Sequence, residues 1–449
     1  MTFGSPSHRL EAQLNATAKV LEIDAQFVHI PGVVVASFGD QETHTSETHF
    51  VKGSGGLVLG SLHHTHDVYR MVVHDEISVE NGTAALNRLL KAKPTYPLWL
   101  RVVFATVITG VICPMGFGGS VLDAAISAIF GAMFGFLQLR VAATNPLYAN
   151  IFEISTATIV SFIARGLSST GLFCYESLSS SGVVMILPGY VILCGSLELA
   201  SKNIVCGSVR MVYAIIYSLF LGFGIAIGSE LEQGNVMCFR DPSWQWYRQN
   251  VSAWWLFLMV PVVSLTMSLS NGQPWKSREL PVQVFISCTG FTLNRIANAY
   301  IFNHSDVVSF LGAFAIGVMG NFYSRVFKGT ALTSMATGVL FLVPSGIAAA
   351  GGLAMTNVQG GDSYSNGLVI GFRMVQVAIG ITVGLFFSSF VVYSFGSKKR
   401  GALFVSLYFC DLMPTLRETI RLSDHSSPFD FGSLIRTSSN EILFCAYSL

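Results

Sequence analysis

Two carboxylates, Asp123 and Glu153, stand in stretches of sequence that are otherwise strongly apolar. An acid in such surroundings is costly to keep charged, and a change in its exposure moves its pKa. Either residue could therefore bind and release a proton. Asp123 follows Gly118-Gly119, where the backbone can approach closely and water can enter, whereas Glu153 falls about two turns into the next apolar stretch. Both could instead sit at an interface and stay solvated. Arg210, Arg295 and Arg373 are the cations that could pair with these acids or hold a substrate carboxylate. Arg210 and Arg373 could equally snorkel to lipid headgroups.

Further along, Gln283, Ser287, Gly290, Asn294 and Asn298 recur at three- and four-residue spacing beside Arg295. On a helix that spacing makes one polar stripe. A stripe of amides facing lipid is unfavourable, so it is expected to face neighbouring helices or a pathway. Two apolar runs are interrupted in a similar way, by Leu187-Pro188-Gly189 and by Val343-Pro344-Ser345-Gly346, and each is followed by a polar connector and an Arg-Met pair. Matching breaks in two halves of a chain point to a binding site made of broken helices. Proline and glycine can also merely kink a membrane helix. Ser127, Gly131 and Gly135 form a small-residue face suited to close helix packing.

Near the N-terminus, His63, Asp67, Arg70 and His74 share a helix face, with His66 nearby. The spacing matches no zinc pattern, and a solvated polar face accounts for it better. His8-Arg9-Glu11 reads as an ion-pair cluster. Phosphate-loop, dinucleotide and nucleophile-elbow fingerprints are missing, so no cofactor, metal or catalytic residue is expected.

The elements that must position these residues are mostly membrane helices. Charged residues make up 11% of the chain and apolar residues 51%, against roughly 25% charged in a soluble domain. A soluble fold of this size could not cover its surface with so few charges. The apolar residues come in blocks of roughly 17–25, long enough to cross a bilayer. The expected fold is mainly α: a polytopic membrane protein of about ten transmembrane helices with a small N-terminal α/β cytosolic domain. Residues 1–97 form the polar domain, and 98–228 the first group of five spans. An outer connector, 229–250, leads to the second group of five, 251–395, and then to a tail, 396–449, without clear period. An odd number of spans per half turns the second half upside down, as in inverted repeats. The chain opens almost directly on a helix, which suggests that further sequence belongs upstream.

Lysine and arginine bias orients the bundle. With the N-terminus inside, the cytosolic connectors hold Arg140, Lys202, Lys276, Arg278, Arg325 and Lys328, and Lys398-Lys399-Arg400 follows the last span. The outer connectors hold only Arg165, Arg240 and Arg248. Both termini are then cytosolic, with plasma and vacuolar membranes both open. Eight scattered cysteines with no CxxC argue against a disulfide framework or zinc site. A net charge of +1 suggests no nucleic-acid partner. The lipid bilayer is the expected partner, and self-association into a homo-oligomer is left open.

Three groups of residues carry a family resemblance: Ser5-Pro6-Ser7-His8-Arg9-Leu10-Glu11, the run Leu62-His63-His64-Thr65-His66-Asp67-Val68-Tyr69-Arg70, and His74-Asp75-Glu76-Ile77. They resemble the N-terminal domain of the threonine/serine exporter family, most nearly its fungal branch, the pheromone-regulated membrane proteins. Gly118-Gly119-Ser120-Val121-Leu122-Asp123 and Leu187-Pro188-Gly189 continue the likeness, and the second half is similar to the family's smaller exporter module. The resemblance implies proton-driven export of small hydroxy amino acids by a secondary transporter, with threonine or serine as substrate. Two other readings compete: a non-transport membrane protein acting in fungal mating or cell-surface signalling, and a membrane-tethered hydrolase using the histidine-rich domain. The topology predicts that the sequons at Asn15 and Asn81 stay unglycosylated. Cysteines placed beside Lys276 or Lys328 should resist impermeant thiol reagents added outside, and their labelling there would overturn the orientation.

Overall fold

The computed structural model describes residues 2–40, 45–53, 55–149, 151–230, 246–249, 251–300, 305–327, 329–349 and 363–394; for 40, 146, 196, 200, 226, 228–230, 246, 253, 305, 343–349, 363–374, 393 and 394 it describes only the backbone. The polar domain begins with helix α1 (Ser7–Val20) and a three-stranded antiparallel sheet in the order β1-β2-β3 (Ala25–Ile30, Val33–Asp40, Thr45–Lys52). Pro31-Gly32 closes the first hairpin with Ile30 opposite Val33, and Gly32 takes the left-handed conformation that such a turn needs. Strand β3 is not foreseen by the sequence pattern. All eight of its residues are exposed, so it carries no apolar alternation to betray it. Helices α2 (Leu59–Val73) and α3 (Val79–Lys91) complete the domain. Ser78 caps α3 by accepting the Asn81 N–H.

The apolar part contains α4 (Leu98–Gly116), α5 (Val121–Phe136) with a π-helical continuation at Leu137–Ala142, α6 (Pro146–Ala149), α7 (Phe152–Ser168), α8 (Tyr175–Val183), α9 (Gly189–Ala200) and α10 (Ile204–Glu230). Then follow α11 (Leu256–Ser270), α12 (Glu279–Tyr300), α13 (Ser305–Phe327), α14 (Ala331–Ala349) and α15 (Ser363–Ser394). Among the described residues five helices are long and apolar enough to cross a membrane, or six when the bent pair α8–α9 is taken as one span. Helices α11 and the first part of α14 are apolar but shorter. The chain is thus a mainly helical, multi-pass membrane protein.

Close packing follows the small residues. A Cβ on Gly110 would meet Ala128, and one on Gly131 would meet Thr109 and Ala105, so α4 and α5 approach nearly backbone to backbone. The two halves are not separate bodies: α4 packs on α11, and α9 and α10 pack on α15. One buried cluster runs from Phe130, Val160 and Leu178 through Leu221 to Ile316 and Ile381. Arg165, read as part of an outer connector, lies instead in the last turn of α7, its guanidinium 5.3 Å from the Tyr175 ring. Overpacking a tight crossing costs about 1–3 kcal/mol. Gly131→Leu should therefore lower the melting temperature of the purified protein, whereas Gly56→Ala, in open space, should leave it unchanged.

Candidate functional site

Pro188 has no N–H to give a helix and disfavours helical backbone at the residue before it. Leu187 accordingly takes φ −55° and ψ 130°, and the span splits there into α8, a single 3-10 turn (Val184–Ile186) and α9, bent by 55°. Beside the break lies a cavity of about 410 Å³. Its apolar wall includes Phe134, Phe152, Met185 and Ile186, and its polar groups are Gln138, Glu153 and Tyr217. Gln138 belongs to the π-helical end of α5, a distortion often found at functional sites. The Tyr217 hydroxyl, from α10, faces the Glu153 carboxylate. The cavity thus joins a carboxylate, a phenol and an amide to the main chain of a broken helix.

Glu153 is not two turns into its span. It lies in the first turn of α7, because the apolar residues before it form the separate short helix α6. Asp123 is buried at 2% exposure rather than open to water. Its carboxylate accepts from the Ser120 N–H and hydroxyl, both at 2.9 Å, and from the Cys174 N–H at 3.1 Å. Together with the Ser120 hydroxyl receiving the Asp123 N–H, this is a capping box at the start of α5. The sequence pattern Ser-x-x-Asp before an apolar run could have announced it.

Arg210 finds an acid, but neither of the two expected. Its Nε lies 3.1 Å from Oε2 of Glu198, a glutamate with 0% exposure on α9. Glu198 went unnoticed in the sequence although it stands inside an apolar run. Its other oxygen accepts the Ser7 N–H at 2.9 Å, so a residue of the bundle caps the first helix of the polar domain. Asn203, beyond α9, donates to the Ser7 hydroxyl and to Glu11. His29 Nδ1 lies 3.3 Å from Cys206 Sγ on α10, and burial with the nearby Arg210 charge pushes the His29 pKa down to about 4. A second anchor holds the other half. His63 places Nε2 at 3.3 Å from Asp67 and Nδ1 at 3.2 Å from Glu279 at the start of α12, with Thr330 3.3 Å away. The Leu59 N–H donates to the Asn271 carbonyl at 2.8 Å. His63 and Asp67, taken for a solvated face, are therefore partly an interface. The connectors carrying Lys202 and Lys276 both meet the polar domain and share one end of the bundle.

In the second half, Gln283, Ser287 and Asn294 are buried, as their spacing suggested. Gln283 Nε2 donates to the Thr333 carbonyl at 3.2 Å, and Gly290 packs against Ile316. Asn298 is half-buried, whereas Arg295 is exposed. One residue along a helix is about 100° around it, enough to carry Arg295 off the stripe. The expected second break does not occur at Pro344: α14 runs through it to Ala349. A proline can remain in a membrane helix when its surroundings satisfy the freed carbonyl. Arg373 lies on α15, and its side chain is outside the described residues, as are Arg240, Lys328, Lys398-Lys399-Arg400 and the tail. Cys174, at the start of α8, is disulfide-bonded, against the expectation from cysteine spacing.

Comparison with known proteins accords with this architecture. Residues 1–232 match the family described as "Putative threonine/serine exporter", and residues 256–391 match "Threonine/Serine exporter, ThrE". The chain belongs to the threonine/serine exporter family. Among its relatives, pheromone-regulated membrane protein 10 of Eremothecium gossypii is 41% identical over 417 residues, covering 89% of this chain and 56% of the relative. The protein of the same name from Saccharomyces cerevisiae is 40% identical over 424 residues, covering 89% of this chain and 54% of the relative. The chain thus spans about half the length of these relatives. No solved structure matches it.

The ion pair generates a stability prediction. Removing one partner of a buried pair leaves the other unpaired at a cost of about 3–5 kcal/mol, whereas replacing both with uncharged residues costs less. Arg210→Met should therefore lower the melting temperature of the solubilised protein more than Glu198→Gln combined with Arg210→Met, in which the amide oxygen still accepts the Ser7 N–H. Equal losses would mean that the two charges do not depend on each other.

Proposed function

We propose that the chain is a secondary transporter that exports small hydroxy amino acids of the threonine/serine class, with protons moving in the opposite direction. The family supplies the substrate class, and the cavity beside the broken span is the observation that carries the reading. Its volume of about 410 Å³ lies within the roughly 300–1,000 Å³ of small-molecule pockets. A zwitterionic substrate needs an acceptor for its ammonium, donors for its carboxylate and a partner for its hydroxyl. Glu153 suits the first role, main-chain N–H groups in the first turn of α9 the second, and Gln138 or Tyr217 the third. Competition between a proton and the substrate ammonium for the Glu153 carboxylate would couple the two fluxes. Asp123, whose carboxylate accepts three hydrogen bonds, is better suited to holding α5 in place.

In this reading the helices form ten spans in two inverted halves, and the polar domain lies in the cytosol. The disulfide-bonded Cys174 supports an oxidising surroundings at the start of α8. Asn294 and Asn298 belong to the second half's share of the pathway, while Arg210 stabilises α9 through Glu198. The relatives' name refers to pheromone regulation, which is the one observation favouring a role in mating-related membrane signalling.

Vesicles reconstituted with purified chain and loaded with threonine or serine test the proposal. Efflux should accelerate when a proton gradient is imposed. Glu153→Gln should cut gradient-driven efflux at least about tenfold, a loss worth about 1.4 kcal/mol, and should also weaken threonine exchange without a gradient, since the same carboxylate takes the ammonium. Asp123→Asn should lower stability yet leave gradient-driven efflux by the protein that still folds pH-dependent. Wild-type pH dependence in Glu153→Gln would remove the carboxylate from the coupling step.

A further inference from the structure

Among the described residues Arg9 is a partly buried cation of the polar domain that stands in no ion pair. It stands on α1, one turn before Gln13 and on the same face. That face meets α2, where Gln13 Nε2 lies 3.1 Å from His66 Nδ1 and the His66 ring stacks on Tyr69 at 5.8 Å. None of the four ion pairs among the described residues includes Arg9. Nearby carboxylates are committed elsewhere. Glu11 accepts from the His29 N–H and the Asn203 amide. Glu198 serves Ser7 and Arg210, and Asp67 and Glu279 serve His63. Arg9 is partly buried, and a cation drawn partly out of water gains from an anion that completes the pair.

We propose that the crevice between α1 and α2 is an oxyanion-binding site, in which Arg9, His66 and Gln13 take the carboxylate of a small amino acid on the side of the bundle where the polar domain docks. A planar guanidinium matches a carboxylate in a bidentate pair. With Gln13 donating to Nδ1, the His66 ring proton sits on Nε2, which is then a second donor. Arg9 follows the Ser7 anchor to the first half by two residues, and His66 follows the His63 anchor to the second half by three. A ligand held there would sit between the domain's grips on the two halves. The identity of the carboxylate rests on the exporter reading; the site itself does not.

Electrostatics agree with the geometry. Burial lowers the Arg9 pKa to about 10. Burial first, and then the charges of Arg9, His63 and Arg70, push His66 down to about 4. His8, enclosed beside Arg9, is likewise pushed down to about 4. The groups facing the site are thus Arg9 and His8 from α1, and His63, His66, Tyr69 and Arg70 from α2, with Glu198 and Glu279 beyond them on the bundle. An arriving anion opposes the charge of Arg9 and raises the His66 pKa. Binding should then take up protons and tighten as pH falls from 7 toward 5.

The test uses the full chain in discs of zwitterionic lipid, in the Glu153→Gln background so that the central cavity contributes less. Calorimetric titration with L-threonine should show saturable binding, and Arg9→Gln should weaken it at least tenfold while Arg9→Lys retains part of it. Heats measured in buffers of different ionisation enthalpy should show proton uptake. In anion-free buffer Arg9→Gln should melt at a higher temperature than its parent, a gain that a merely structural arginine would not give. Binding of inorganic phosphate but not threonine would overturn the amino-acid assignment. So would a response only to discs containing anionic lipid, which would make the anion a headgroup. Unaltered threonine binding in Arg9→Gln would overturn the site.

Discussion

In hydrocarbon a main-chain N–H or C=O has no water to fall back on, so each must find a partner inside the protein. The break at Leu187-Pro188 is where this chain departs from continuous helix, and its surroundings can be read as the consequence. Helices α5, α7 and α10 close around the interruption and contribute Phe134, Phe152 and Tyr217 to the space beside it. The bent span is packed against α15 of the other half through α9. Irregular backbone survives in the bundle because it is enclosed by protein, and the enclosure is what leaves a cavity with polar groups directed into it.

The same part of the molecule bears the attachment of the polar domain. Glu198 lies on α9, beyond the break, and its two oxygens look in different directions, one to Arg210 and one to the first amide of α1. A helix start normally leaves its first N–H groups to water or a local cap. Here a carboxylate from the bundle supplies an acceptor, and the domain becomes sensitive to where α9 sits. At the other half His63 stands between Asp67 and Glu279 and joins α2 to α12. The polar domain is thus fastened to the bundle at two places, by a carboxylate that accepts a helix-start amide and by a histidine–glutamate pair.

Interior polarity differs between the halves. In the first it includes the ionisable groups Asp123, Arg165 and Glu198. In the second it includes a stripe along α12, where Gln283 and Ser287 are buried without interrupting the helix. Each amide or hydroxyl there bonds to a neighbouring carbonyl, which lets continuous helix carry buried polar groups. The uninterrupted backbone of α14 across Pro344 belongs to the same pattern.

Much of this was determined by the sequence alone. Apolar block lengths specify membrane helices because the bilayer sets their length. The spacing of Gln283, Ser287 and Asn294 specifies a buried face because helical periodicity is local. Pro188 specifies a break because its ring acts on its own backbone and that of Leu187. The small residues Gly131 and Gly135 announce a close crossing for the same reason. Tertiary structure decided the rest, where the outcome depends on residues far apart in the chain. Whether Asp123 titrates or caps turns on Ser120 and on Cys174, which is 51 residues away. The partner of Arg210 turns on how α9 folds back beside α10. Pro188 and Pro344 look alike in sequence, yet one breaks its helix and the other does not. Strand β3 was invisible because pairing with β2, and not burial of a face, makes it a strand. Arg9 became legible only when the carboxylates around it were seen to be engaged elsewhere, a property of the assembled fold that no local pattern encodes.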